Sequence, residues 1–315
     1  MPKPPILLAM PLPADLVARL VGRYEVLGPL ERVVPEAVPP EAAGARALVT
    51  LGGFATDAAL LAALPRLELV CCYGTGIEGV DRDAVAARGI RVTHGRDTNA
   101  TAVAEFAMGL VLATARAILA GDRLVRSGGW TSLRIDRMPL VPGLEGKRLG
   151  VYGLGAIGER VARRAAGFEM AIGYHGRAPH PGVDYAYFPT LLGLAEWADV
   201  LVVATRASPE TRGSVNRQVL EALGREGVLV NVARGVIVDE PALCQALEEG
   251  VIAGAGLDVY AEEPHVPERL RALPNVVLTP HMAALSYAAQ AAQQATLEES
   301  LDCFFAGRPL RWEIP

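Results

Sequence analysis

Three side chains in the second half of the chain could carry out carbonyl chemistry if a fold brought them together. Arg234 ends the run Val230-Asn-Val-Ala-Arg234-Gly235, Glu263 stands in Ala261-Glu-Glu263-Pro264, and His281 closes Leu278-Thr-Pro-His281. A guanidinium after an apolar strand can grip a carboxylate and polarise the carbonyl beside it. An unperturbed imidazole titrates at about 6.5, so a histidine can give or take a proton near neutrality. Glu263 can hydrogen-bond the second ring nitrogen, hold the ring's orientation and favour its protonated form, with Glu262 a competitor for that task. Taken singly, the three read equally well as a surface arginine, a structural histidine and a solvated loop acid. Their order along the chain, together with a fourth motif, is what gives them weight.

The fourth motif is Gly153-Leu-Gly155-Ala156-Ile157-Gly158, a G-x-G-x-x-G run preceded by the apolar strand Leu149–Tyr152 and followed at once by a helical pattern. In that context Gly153 permits a tight turn, Gly155 lets backbone approach a pyrophosphate, and Gly158 lets helix and strand pack closely. The helix N-terminus offers unpaired N–H groups to the phosphates. Sites specific for NAD usually place Asp or Glu about 20 residues beyond the glycines, against the ribose hydroxyls. Here the next strand runs into His175-Gly176-Arg177, with no carboxylate until Asp184. Arg177 can pair with a 2′-phosphate, which a carboxylate would repel. Arg206 is a second candidate for the adenosine end, or a solvated surface arginine. The pattern favours NADP(H), with NAD(H) possible.

The elements that must position these residues alternate between strand-like and helix-like runs. Strands are expected at Ile6–Ala9, Ala45–Thr50, Leu67–Tyr73 and Ile90–Thr93, and helices at Ala14–Val21, Asp57–Leu64 and Asp81–Arg88, with Gly89 capping the last. A long Ala-rich helix is expected from about Thr101 to Arg126, broken by Gly128-Gly129. Gly129–Gly146, with Trp130, Pro139 and Pro142, reads as a loop. A second alternation has strands at Arg148–Tyr152, Met170–Tyr174, Val200–Thr205, Gly227–Val232, Ala253–Val259 and Asn275–Thr279, and a final helix Tyr287–Phe305 closes it. The fold class is α/β, with two doubly wound parallel-sheet domains, one for 315 residues being too few.

Bulk composition narrows the classes further. Half the chain is apolar (51%) but only 5% is aromatic, the palette of helices on buried parallel strands. A net charge of −5 with scattered basic residues gives no nucleic-acid-binding face. The N-terminal apolar run Ile6–Met10 is too short for a signal peptide, and no run approaches a membrane span. Cys71, Cys72, Cys244 and Cys303 lack ligand spacing, so no metal is expected. Reduced structural thiols and a cytoplasmic location are the expectation.

The four motifs, in order and spacing, resemble the D-2-hydroxyacid dehydrogenase family, together with Gly74-Thr75-Gly76 and Gly128-Gly129-Trp130. The resemblance implies a Rossmann-type cofactor domain (99–287) and a flavodoxin-like substrate domain (1–98 plus 288–315), with substrate in an interdomain cleft. It assigns substrate binding to Arg234, acid/base work to His281 and its support to Glu263. Backbone N–H groups of Gly74, Thr75 and Gly76 would meet the substrate carboxylate, and Asp258 the nicotinamide amide. Gly153, Gly155, Ala156, Ile157, Gly158, Gly176, Arg177, Thr205, Pro209, Val232, Ala233, Arg234 and His281 would complete the cofactor site.

Tyr174-His-Gly-Arg-Ala-Pro most resembles glyoxylate/hydroxypyruvate reductases, and Tyr-His-x-Arg is similar to hydroxyphenylpyruvate reductases. The expected reaction is NADPH-dependent reduction of a small 2-keto acid to the D-2-hydroxy acid, in a homodimer. The alternatives are a hydroxyphenylpyruvate or phenylpyruvate reductase, or an NAD(H)-sensing corepressor-like binding protein. Trp130 matches a tryptophan that those reductases lend to a partner's active site, or it simply packs an interface. After His281 the family usually has glycine and a small hydroxyl residue, whereas here Met282, Ala283 and Ala284 follow. Formate dehydrogenases carry Gln at the position of Glu263, and phosphite dehydrogenases Lys at that of Thr75, so neither fits. Gly52-Gly53-Phe54, expected near the substrate side chain, matches no subgroup.

Overall fold

The computed structural model describes residues 2–132, 140–141 and 143–314, so Pro139 and Pro142 of the expected loop lie outside the described residues. The chain divides into two compact units, Met1–Asn99 with Ser286–Pro315, and Ala100–Leu285.

The first unit is a parallel sheet of β1 (Pro5–Leu8), β2 (Glu25–Leu27), β3 (Ala47–Thr50), β4 (Leu69–Cys72) and β5 (Arg91–His94), in the order β2-β1-β3-β4-β5. That is the flavodoxin-like order. Helices α1 (Ala14–Arg23), α2 (Ala58–Ala62) and α3 (Arg82–Ala87) connect the strands. Central strands β3 and β4 are buried at every position, as two-sided coverage demands. Strand alternation sends Cys71 to the layer shared with Leu16 and Leu20 of α1, and Cys72 to the layer of Leu60 and Leu61 of α2. All four cysteines are free and buried. Burial pushes both Cys71 and Cys72 up to about 12, so they are inert thiols.

The second unit opens with α4 (Ala100–Ala115) and α5 (Ile118–Arg126), then β6 (Arg148–Tyr152), α6 (Ala156–Ala166), β7 (Ala171–His175), β8 (Ala186–Phe188), α7 (Leu191–Trp197) and β9 (Val200–Val203). It continues through α8 (Arg217–Leu223), β10 (Val228–Asn231), α9 (Glu240–Glu248), β11 (Gly254–Leu257), α10 (Glu268–Ala272) and β12 (Val276–Leu278). All seven strands are parallel, in the order β12-β11-β10-β9-β6-β7-β8. This is the doubly wound Rossmann order, and its direction reverses between β6 and β9, where such sheets bind ligands beyond the strands' carboxyl ends. The chain then returns to the first unit as α11 (Tyr287–Phe305), whose Leu297 and Leu301 pack with Ile6, Leu8 and Cys71.

The single helix expected over Thr101–Arg126 is two helices bent by 64°. Ala117 takes a left-handed φ of +50° between them. The cause is tertiary, because α4 has eight buried residues and packs against α6, β10 and β11, whereas no residue of α5 is buried. Among the described residues no single helix is long and apolar enough to cross a membrane. The edge strands β2 and β8 were not expected from the sequence. Each has three residues, none of them buried, so neither shows an apolar run.

Candidate active site

The glycine-rich turn joins β6 to α6, and the geometry gives each glycine a separate task. Gly153 has φ +99°, and a Cβ there would stand 2.6 Å from the Thr205 Cα. A Cβ at Gly158 would meet the Gly153 carbonyl oxygen at 2.1 Å, so helix and strand could not close. Gly155 caps α6 and has nothing within 4 Å of where a Cβ would stand, leaving its backbone open to an approaching group. Ala156 and Ile157 follow in the first turn of α6, whose leading N–H groups suit a phosphate.

At the end of β7 stands His175 where an NAD-type site has its acid. Its Nδ1 lies 2.9 Å from the Phe188 carbonyl and its ring packs on Tyr152 at 5.5 Å. Gly176 accepts a hydrogen bond from the Tyr187 hydroxyl (3.3 Å), and Arg177 beyond it is exposed. Arg206 and Pro209, in the loop after β9, are also exposed.

Arg234 follows β10, with Val232 and Ala233 buried before it. The turn is braced by Asn231, which is 1% exposed. Asn231 Oδ1 accepts from the Ala233 N–H (3.0 Å), and its Nδ2 donates to the Arg234 carbonyl (3.0 Å). Gly235 is the contact point with the next loop: a Cβ there would stand 1.9 Å from the Tyr260 carbonyl. That loop carries Glu263, whose Oε1 accepts the Tyr260 N–H (3.0 Å) and whose Oε2 lies 2.6 Å from His281 Nδ1. Burial alone would raise the Glu263 pKa. The bonds from His281 and the Tyr260 amide, and the charges of His281 and Arg234, hold it below the usual carboxylate value. Glu263 is thus the ionised acceptor and His281 Nδ1 the donor, leaving Nε2 for a reacting group. The two side chains are 33% and 47% exposed.

His281 itself has φ +50°. Asp258, just past β11 and 1% exposed, accepts the His281 N–H on its carbonyl (2.8 Å). Its carboxylate accepts the Thr279 hydroxyl (2.6 Å) and the N–H groups of Met282 (2.9 Å) and Ala283 (2.8 Å). Ala283 is buried in the apolar layer with Val232 and Val277. Sequence reasoning gave no role to Asn231, Gly235, Tyr260 or Thr279. A polar residue ending an apolar strand, as Asn231 does, was the available signal.

In the first unit Gly74 has φ +115° after β4. Its carbonyl accepts from Gly95 N–H (2.5 Å), and His94 Nδ1 lies 3.2 Å from the Thr75 carbonyl. Asn99 Nδ2 reaches Thr75 Oγ1 at 3.5 Å. Phe54 is exposed in the same unit, and Trp130 is exposed in the second.

The chain is similar to proteins of known activity. The family model "D-isomer specific 2-hydroxyacid dehydrogenase, NAD binding domain" matches residues 108–283. A hydroxyphenylpyruvate reductase of Plectranthus scutellarioides is 41% identical over 86% of this chain and 85% of its own. A glyoxylate/hydroxypyruvate reductase A of Arabidopsis thaliana is 42% identical over 84% of each chain. The crystal structure of an NADPH-dependent glyoxylate/hydroxypyruvate reductase from Sinorhizobium meliloti, with NADP and malonate, superposes with a TM-score of 0.92. It shares 38% identity over 99% of this chain and 97% of that one. The family model and these reductases make the chain a nicotinamide-dependent oxidoreductase. The chain belongs to the D-isomer specific 2-hydroxyacid dehydrogenase family.

Proposed function

We propose that the protein reduces a small 2-keto acid of the glyoxylate/hydroxypyruvate type to the D-2-hydroxy acid, with NADPH as the preferred cofactor. The observation that carries this reading is the 2.6 Å pair of Glu263 Oε2 and His281 Nδ1 within reach of the Arg234 charge. A bound reduced nicotinamide cofactor, its pyrophosphate at Gly153–Gly158, would supply the hydride for the ketone carbon. Arg234 binds the substrate carboxylate and polarises the ketone. His281 delivers the proton to the ketone oxygen from Nε2, while Glu263 fixes the ring and balances its charge. In the first unit Gly74, Thr75 and Gly76 are the substrate-binding candidates, with backbone N–H groups suited to a carboxylate, and in the second Asp258 meets the nicotinamide amide. Gly153–Gly158 take the pyrophosphate, and Thr205, Pro209, Val232 and Ala233 line the rest of the cofactor.

The NADPH preference rests on the absent acid at the end of β7 and on exposed Arg177. It agrees with the NADPH dependence named for the Sinorhizobium meliloti relative. A homodimer fits the exposed apolar side chains Ile118, Leu119, Leu124 and Val125 of α5, at 39–57% exposure. The 41% identity to a hydroxyphenylpyruvate reductase favours an aromatic 2-keto acid as the second reading.

Steady-state rates for glyoxylate, hydroxypyruvate, phenylpyruvate and hydroxyphenylpyruvate with NADPH and NADH decide among these. The expected order puts a small keto acid with NADPH first, and a strong NADH preference sinks the cofactor reading. His281→Ala should lower turnover by about 10²–10⁴-fold with NADPH affinity retained, and unchanged turnover would falsify the proton-transfer role.

A further inference from the structure

We propose that Asp258 is a positioning residue for His281: it sets the shape of the turn that carries the imidazole. The inference rests on the proton-transfer role given to His281 above. One residue supplies four acceptor contacts to the segment 279–283. The Asp258 carbonyl takes the His281 N–H at 2.8 Å. Oδ1 takes the Thr279 hydroxyl (2.6 Å) and the Met282 N–H (2.9 Å), and Oδ2 takes the Ala283 N–H (2.8 Å).

These bonds bracket a residue that L side chains rarely permit in its observed conformation, since His281 has φ +50° and is not glycine. A left-handed turn exposes successive N–H groups on one side, and a buried carboxylate needs donors on every lone pair it can fill. Each therefore answers the other. A carboxylate can accept about four hydrogen bonds, so the three intrachain donors leave one position for an incoming amide. The Asp258 N–H donates in turn to the Asn231 carbonyl (3.0 Å). Because Asn231 also braces Arg234, the same backbone link ties the histidine turn to the arginine turn. Asp258 thereby fixes where the His281 ring stands relative to Glu263 Oε2, without touching the ring.

Asp258→Asn is the discriminating change. Its amide oxygen can still take the two donors at Oδ1, but its NH2 group faces the Ala283 N–H, donor against donor. Backbone amide exchange of the full, cofactor-free chain, resolved to Met282 and Ala283, should quicken at least about tenfold. Exchange in β6, β9 and β10 should stay as in the parent. Steady-state kinetics at saturating NADPH should lose kcat by at least about tenfold. Thr279→Val, which also serves if Asp258→Asn does not fold, removes one Oδ1 donor and leaves the Asp258 carboxylate to meet the nicotinamide amide. The same two measurements should shift by less, with the dissociation constant of NADPH, measured by fluorescence titration, changed less than about threefold. Parent-like exchange at Met282 and Ala283, or a Thr279→Val activity loss matched wholly by lost NADPH affinity, overturns the proposal. The exchange arm needs no substrate, so a protein that reduces no 2-keto acid would fail the proposed function while still testing this turn.

Discussion

Two turns of the second unit reach positive φ by opposite routes. Gly153 sits at +99° because glycine carries no Cβ, and the space a Cβ would need is filled by Thr205. His281 sits at +50° with a full side chain, a conformation that costs about 1–2 kcal/mol, and hydrogen bonds from a neighbouring strand hold it there. One turn is specified by composition at its own position, the other by a residue 23 positions away (281 minus 258). The first serves a generic backbone approach to a charged group. The second carries the side chain proposed to transfer the proton, a role glycine could not fill.

The largest effect should follow from removing the composition-specified turn. Gly153→Ala forces a methyl group to 2.6 Å from the Thr205 Cα and strains a φ of +99°. Strain of about 1–3 kcal/mol should weaken NADPH binding by about 5–150-fold in a fluorescence titration. Affinity within a factor of two of the parent would show that the turn tolerates a side chain after all.

A smaller effect is expected at the far end of the same site. Arg177→Ala should lower kcat/KM for NADPH by about tenfold, the low end of the about 1.5–3 kcal/mol for a charge-assisted bond because Arg177 is exposed, and leave NADH almost unaffected. An equal loss with both cofactors would mean that Arg177 supports the fold of the turn rather than reading a phosphate.

The smallest effect concerns stability at the histidine turn. The Glu263 carboxyl is held below the usual carboxylate value, so its ionised form favours the folded state. That contribution is complete above the unfolded value and is lost as pH falls through the lowered folded value. Glu263→Gln should therefore reduce stability by under about 1 kcal/mol at pH 7, given its partial exposure. Urea unfolding curves of the two proteins should converge in acid below the ordinary carboxylate range. A difference that grew on acidification would reverse the sign of the linkage.

The same contrast explains what could be read from the sequence. Gly153–Gly158, Arg234 and His281 were legible as candidates because each follows an apolar strand, and Glu263 because of its place between them in a fixed order. The left-handed φ of His281 was not, because it is imposed by the buried Asp258 side chain across β11 and β12. The break at Ala117 was hidden for a similar reason: neither glycine nor proline marks it, and only the burial of α4 against the exposure of α5 accounts for it. Strands β2 and β8 escaped because at three residues each, unburied throughout, they carry no apolar run.

Gly235 has a consequence for how such a site can change over generations. Any side chain at that position would collide with the backbone of Tyr260 and Ala261, so the arginine loop and the glutamate loop cannot drift apart one substitution at a time. Two loops locked this way must be inherited as a block. Diversification is thereby channelled to residues outside the block, such as the exposed apolar side chains Phe54, Trp130 and Met282.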